Sequence, residues 1–140
     1  MRYWDSSALV PLFVEQPSTG RVRRLYADDP VILTWTLSEV EILSALARLE
    51  REGAFAPESF HAAVARLSEL WLRIDAVTAF DAVKQRARRL LRTHPLRAAD
   101  ALQLGAALLV ASGDPAGWSV VSLDDRLCGA ARREGFTVLP

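Results

Sequence analysis

The chain has one cysteine, Cys128, one lysine, Lys84, and two histidines, His61 and His94, among its 140 residues. A single thiol cannot close an internal disulfide, and no Cys/His cluster offers the ligands of a zinc site, so the sequence predicts a reducing, cytoplasmic setting. Long apolar runs are also missing. The longest, Ala101 to Ala111, is interrupted by Gln103 and falls well short of the ~20 residues that a membrane span needs. No basic-then-apolar leader precedes Tyr3-Trp4-Asp5, which predicts no secretory signal and no membrane partner. Net charge is zero, with 17 basic residues against 17 acidic ones, which excludes nucleic-acid binding by bulk charge alone. Any polyanion must then meet local patches, and those patches are arginine, whose guanidinium fork suits bidentate contact with phosphate.

What is present suffices for a sizeable core. At 51% hydrophobic and 24% charged, the composition predicts one domain over residues 1–140, with no repeat, linker or low-complexity tract. Met1–Trp4 reads as a strand running into Asp5-Ser6-Ser7, residues favoured at a helix start, with a helix over Ala8–Val14. A second helix, capped by Ser18 or Thr19, runs to Tyr26, and Val31-Ile32-Leu33 reads as a buried strand. Apolar residues at 37, 40, 43, 46 and 49 predict a long helix from Thr36 to about Glu52. Further helices are expected from Pro57 to Leu72, Ala79 to Arg92, Leu96 to Ala111 and Asp124 to Arg133, with strands at 74–77, 118–122 and 136–139. Short, almost wholly apolar strands alternating with helices predict an α/β fold with a parallel sheet covered on both faces. Ligands of such sheets bind beyond the carboxyl ends of the strands, which directs attention to the residues found there.

Asp5 and Asp124 each closely follow an expected strand and therefore belong to one rim of the sheet. Asp100 sits in a helix with almost no polar face, so at least partial burial is expected, and a buried carboxylate needs a cation, donors or a raised pKa. A fourth candidate lies in Trp35-Thr36-Leu37-Ser38-Glu39-Val40-Glu41, where two glutamates compete. Thr36-x-x-Glu39 and Ser38-x-x-Glu41 both fit a capping box, so capping does not choose between them. The smaller and more polar helical neighbours of Glu41 (Ser38, Ser44 and Ala45) favour it as the site residue. Four carboxylates meeting at one rim would repel each other unless a hard divalent cation, Mg²⁺ or Mn²⁺, stood among them. Such an ion can orient and deprotonate water and stabilise charge on a phosphodiester without a histidine base. The bland alternative is that these acids only cap helices and solvate the surface.

Four segments together resemble the PIN-domain ribonucleases, in particular the VapC-like toxins of type II toxin–antitoxin pairs. They are Tyr-Trp-Asp-Ser-Ser-Ala-Leu-Val-Pro-Leu-Phe at 3–13, Glu-Ile-Leu-Ser-Ala-Leu-Ala-Arg-Leu at 41–49, Leu-Arg-Ala-Ala-Asp-Ala-Leu-Gln-Leu at 96–104 and Ser-Leu-Asp-Asp-Arg-Leu at 122–127. The resemblance spans nearly the whole chain. It implies a three-layer α/β/α sandwich around a mainly parallel sheet, with Asp5, Glu41, Asp100 and Asp124 as catalytic and metal-ligating acids. It places Ser7 beside them as an auxiliary hydroxyl and leaves Asp125 as a spare acid. It also implies Mg²⁺- or Mn²⁺-dependent hydrolysis of RNA, a separately encoded antitoxin and a homodimer.

Lys84, Arg86, Arg88, Arg89, Arg92 and Arg97 form a basic run with no acid between Asp81 and Asp100. It reads either as a solvated helix face or, through Arg89, Arg92 and Arg97, as a guide for the RNA backbone. His94 is expected as a local cap or loop residue, His61 on a surface helix and Cys128 as a small core residue. Trp35, Phe60 and Trp71 are expected to fill the core or to face a subunit or inhibitor. Three rival readings fit the sequence less well. An aspartate-dependent phosphatase needs a second Asp where Ser7 stands, and a receiver-like domain needs a strand-end lysine that Lys84 does not supply. A PIN-like fold kept only as a non-catalytic interaction module would have no need of all four acids.

Overall fold

The computed structural model describes residues 1–140. Five short strands form one sheet: β1 (Arg2–Trp4), β2 (Leu33–Trp35), β3 (Asp75–Val77), β4 (Ser119–Val121) and β5 (Thr137–Leu139). Every pairing is parallel and the order is β3-β2-β1-β4-β5. The chain thus builds outward from β1 on one side and then returns to build on the other, so strand order reverses between β1 and β4. A crevice at the carboxyl ends of those two strands is where this kind of sheet binds ligands.

Seven helices connect the strands: α1 (Ser6–Leu9), α2 (Thr19–Asp28), α3 (Ser38–Arg51), α4 (Pro57–Trp71), α5 (Phe80–Thr93), α6 (Ala98–Val110) and α7 (Asp125–Arg133). They divide between the two faces because successive strand residues point opposite ways. Tyr3 and Val120 join the core built by α5, α6 and α7, while their neighbours Trp4 and Val121 join the core built by α1 to α4. The result is the three-layer α/β/α sandwich expected from the sequence. On the first face α6 packs closely along α5: a Cβ added at Gly105 would stand 3.0 Å from the Val83 carbonyl oxygen and 3.3 Å from the Ala87 nitrogen. No helix is long and apolar enough to cross a membrane.

Several boundaries depart from the expectations. The second strand lies two residues later than the apolar triplet suggested. Val31 is 58% exposed while Thr34 and Trp35 are buried, because the Thr34 hydroxyl donates to the Trp4 carbonyl at 2.6 Å and satisfies its polarity inside the sheet. The first helix does not run to Val14. It ends at Leu9 and tightens into a 3₁₀ turn, Val10–Leu12, at Pro11, which has no N–H to continue an α-helical ladder. Neither capping box forms at the start of α3. Its N-cap is Leu37, and the Ser38 hydroxyl instead meets Thr34 Oγ1 at 2.7 Å and accepts from Gln103 Nε2 at 2.8 Å. Trp35 and Cys128 are buried as expected, whereas Phe60 and Trp71 are half-buried against the core under α4.

Candidate active site

Asp5 stands one residue past β1, with its backbone N–H bonded to the Val121 carbonyl of β4 at 2.9 Å, so the sheet itself fixes its position. Its side chain caps α1. Oδ2 accepts from the Ser7 amide at 3.2 Å, from the Ser7 hydroxyl, and from the Ser122 hydroxyl at 2.9 Å. The residue is 4% exposed, and the carboxyl pKa is pushed up to about 6. Burial is the main cause; the Ser7 and Ser122 hydroxyls pull the other way, and the charge of Glu41 adds to the rise. Glu41 lies close enough to be felt at Asp5 and also at the buried Tyr3 hydroxyl.

Asp124 follows β4. Its amide donates to Ser122 Oγ at 3.1 Å, and its Oδ1 accepts from the Leu127 amide at 2.8 Å, capping α7. Ser122 therefore links Asp5 and Asp124 directly. Ser7 closes the same corner: its Oγ lies 3.3 Å from Ser122 Oγ and accepts from the Leu123 amide at 2.9 Å. Glu41, on the first turn of α3, accepts from Gln103 Nε2 at 2.7 Å. Asp100, one turn before Gln103 on α6, accepts the Arg97 amide at 3.1 Å. That bond makes Asp100 a helix-start acid, and it has no direct hydrogen bond to the other three acids.

Two consequences bear on a metal. No group of three His, Cys, Asp or Glu side chains is disposed to hold an ion, so the four acids form no closed cage: Ser122 joins Asp5 to Asp124, Glu41 is felt at Asp5, and Asp100 stands apart at the start of α6. Their donor chemistry nonetheless fits a hard divalent cation. Asp5, Asp100 and Asp124 each commit only one carboxylate oxygen to helix-start or hydroxyl donors, and Glu41 commits one to Gln103. None of the four forms a salt bridge; the chain's ion pairs use Arg2, Arg23, Lys84, Arg89 and His94 elsewhere. Each carboxylate thus keeps a free oxygen, and no cation from the chain neutralises it. Capping at Asp5, Asp100 and Asp124 therefore does not consume the oxygen that a site role would need.

The arginine candidates fare unevenly. Arg89 is committed to Glu134 through two bonds, of 3.1 and 2.6 Å, and His94 Nε2 meets the same carboxylate at 2.7 Å. Arg88, Arg89 and Arg92 line a cleft of about 450 Å³ that contains none of the site acids. Arg97 is exposed and caps α6 with its backbone. Sequence reasoning missed Gln103, although an amide standing with Asp100 as the only polar side chains of an apolar helix was a visible signal. It also missed Gln16 and Arg48, which line a cleft with Ser7 and Glu41. Arg48, seven residues after Glu41, could have been found from helical spacing alone.

Residues 2–133 match the PIN domain family. Two curated relatives, ribonuclease VapC45 and ribonuclease VapC49, from two strains of Mycobacterium tuberculosis, are each 32% identical to this chain over 138 residues, covering 99% of it and 94% of their own length. The crystal structure of Mycobacterium tuberculosis VapC20, described as a sarcin-ricin loop cleaving toxin, superposes over the full length of both chains with a TM-score of 0.70 at 23% identity, a likeness of fold. This chain, an α/β/α sandwich with Asp5 and Asp124 just past β1 and β4, matched along almost its whole length, belongs to the PIN-domain family, among the VapC ribonucleases.

Proposed function

We propose that the chain is a divalent-metal-dependent endoribonuclease, the toxin of a type II toxin–antitoxin pair, that hydrolyses RNA phosphodiesters at Asp5, Glu41, Asp100 and Asp124. The observation that carries this reading is the Asp5 corner. A buried carboxylate is held by Ser7 and Ser122, raised in pKa by burial and by the charge of Glu41, and left without a cation from its own chain. A polypeptide tolerates such an arrangement when a ligand supplies the missing charge. Mg²⁺ or Mn²⁺ held by the four acids would supply water activation and stabilisation of charge developing on the phosphate.

The chain's own residues have separate tasks. Ser7 and Ser122 orient the Asp5 carboxylate by fixing Oδ2. Gln103 holds Glu41 Oε2, and the Leu127 and Arg97 amides do the same for Asp124 and Asp100. An aspartate-dependent phosphatase is disfavoured, because the position two residues after Asp5 carries a hydroxyl that serves Asp5 rather than a second carboxylate. A separately encoded antitoxin and a homodimer complete the proposal by family likeness.

Purified protein supplied with Mg²⁺ or Mn²⁺ is expected to cut RNA and to stop in EDTA, and Asp5→Asn and Asp100→Asn are expected to abolish cutting. Metal-dependent cleavage that survives both substitutions would remove the catalytic assignment. In cells, induced expression should arrest growth, and co-expression of the partner antitoxin should restore it.

A further inference from the structure

Leu123, between Ser122 and Asp124, forms a ridge between two small clefts. The cleft on the α3 side, about 340 Å³, is lined by Ser7, Gln16, Glu41 and Arg48, with Ala45 and Leu49 as an apolar wall. The cleft on the α7 side, about 210 Å³, is lined by Arg21, Ser122, Asp125, Cys128 and Arg132. Asp5 lines neither cleft but underlies both through its hydroxyl partners: Ser7 lines the first, Ser122 lines the second, and both hydroxyls donate to Asp5 Oδ2.

Arg21, Arg48 and Arg132 are exposed, and none is in an ion pair. Nor does any of them donate a side-chain hydrogen bond; the arginines that do are Arg2, Arg66, Arg86 and Arg89. Arg48 shares a cleft with Glu41 and still does not pair with it, so its donors remain available to an anionic ligand. Free guanidinium groups thus line both clefts, which is the charge pattern a polyanion needs if its cleaved linkage is to lie over the acids.

The two clefts differ in what they accept. Gln16 is half-buried at the first, and only its backbone is engaged, the amide donating to Thr19 Oγ1 at 2.8 Å. Its side-chain amide offers a donor and an acceptor together, the combination that reads a base edge, beside the apolar wall of Ala45 and Leu49. No aromatic side chain lines either cleft, so stacking does not supply affinity and hydrogen bonding must supply selectivity. The second cleft is smaller, and its cationic groups are Arg21 and Arg132, set beside Asp125, Val138 and Pro140.

We propose that these clefts are the subsites for the nucleotides on either side of the cleaved phosphodiester: the larger reads a base through Gln16 and holds its phosphate with Arg48, and the smaller takes only backbone phosphate through Arg21 and Arg132. The proposal rests on the ribonuclease reading above.

The test combines cleavage with binding. A short unstructured RNA library is cut by the wild-type chain and by R48A, R132A and Q16A, with R73A, remote from both clefts, as the control. R48A and R132A are expected to raise KM by about tenfold while kcat changes by less than about twofold, and Q16A to flatten the nucleotide preference on one side of the cut. Fluorescence anisotropy of the same RNA on a D5N background is expected to show the slope of log affinity against log salt falling by about 1 for each arginine removed. KM values and salt slopes in R48A and R132A that match R73A would overturn the subsites, as would an unchanged cut preference in Q16A. Salt slopes that shift as expected in a protein that cuts no RNA would overturn the ribonuclease reading instead.

Discussion

Gln103 Nε2 lies 2.7 Å from Glu41 Oε2, joining α6 to α3 across the site, and the same amide accepts the buried Tyr3 hydroxyl at 2.7 Å through Oε1. Gln103 is 1% exposed, so a single polar side chain in an apolar helix both satisfies Tyr3 and orients a site carboxylate.

Gln103→Leu leaves the Tyr3 hydroxyl without its partner and frees Glu41. Thermal or chemical unfolding should show a loss of about 1–3 kcal/mol, the usual cost of an orphaned buried polar group. RNA cleavage should fall by roughly ten- to a hundredfold, as is typical when the partner of a ligating residue is removed. Activity that falls only in proportion to the folded fraction would deny Gln103 any positioning role.

Asp5→Asn should stabilise the metal-free protein while inactivating it. The Asp5 pKa rises from 3.8 to about 6, so between those values the folded state binds more protons than the unfolded state, and stability falls as pH rises through that window. The rise from 3.8 to about 6 corresponds to about 3 kcal/mol at pH 7.5, and below pH 4 the gain should vanish. Urea unfolding in EDTA at pH 4 and pH 7.5 measures both. An Asn variant no more stable than wild type at pH 7.5 would contradict the buried, uncompensated carboxylate.

Gly105→Val should destabilise the fold more than Gly105→Ala. A Cβ there meets the backbone of α5 at 3.0 and 3.3 Å, and backbone cannot swing aside as a side chain can. The alanine variant should cost about 1–2 kcal/mol and the valine variant more, through separation of α5 from α6. Matched unfolding curves for both variants would show that the two helices part freely.

Glu134→Gln should loosen the join between α7 and α5. Arg89 chiefly holds the Glu134 carboxyl below the usual glutamate range, with His94 helping and burial opposing. Its contribution is therefore present above about pH 4.3 and is lost as acid protonates it. At pH 7 the variant should be less stable by about 1–2 kcal/mol, and the gap should close as the pH falls through the depressed Glu134 pKa. A gap that stays constant between pH 7 and pH 3 would place the effect elsewhere.

Local chemistry alone made much of the molecule visible. Apolar periodicity marked α3 to α6, and acids after strand-like segments marked Asp5 and Asp124, because both signals depend on residues within a few positions of each other. The parallel sheet followed from the alternation of helices with apolar triplets. The β2 register was hidden because Thr34 is buried by a bond to Trp4, thirty residues away in sequence. The capping patterns at Thr36 and Ser38, which did not choose between Glu39 and Glu41, both stay unformed, and Ser38 serves Thr34 and Gln103 instead, the latter 65 residues away.

The amino-acid sequence by itself determined the layers and pointed to Asp5 and Asp124 at the strand ends, since hydrophobic pattern and helix-start chemistry are properties of neighbours along the chain. Only the tertiary structure decided that Ser122 ties Asp5 to Asp124, that Gln103 holds Glu41, and that Glu134 takes Arg89 while Arg48 stays free. Partners separated by 45 to 117 residues leave no local trace. They meet because folding brings their elements together, and burial then makes each unpaired polar group too costly to leave alone.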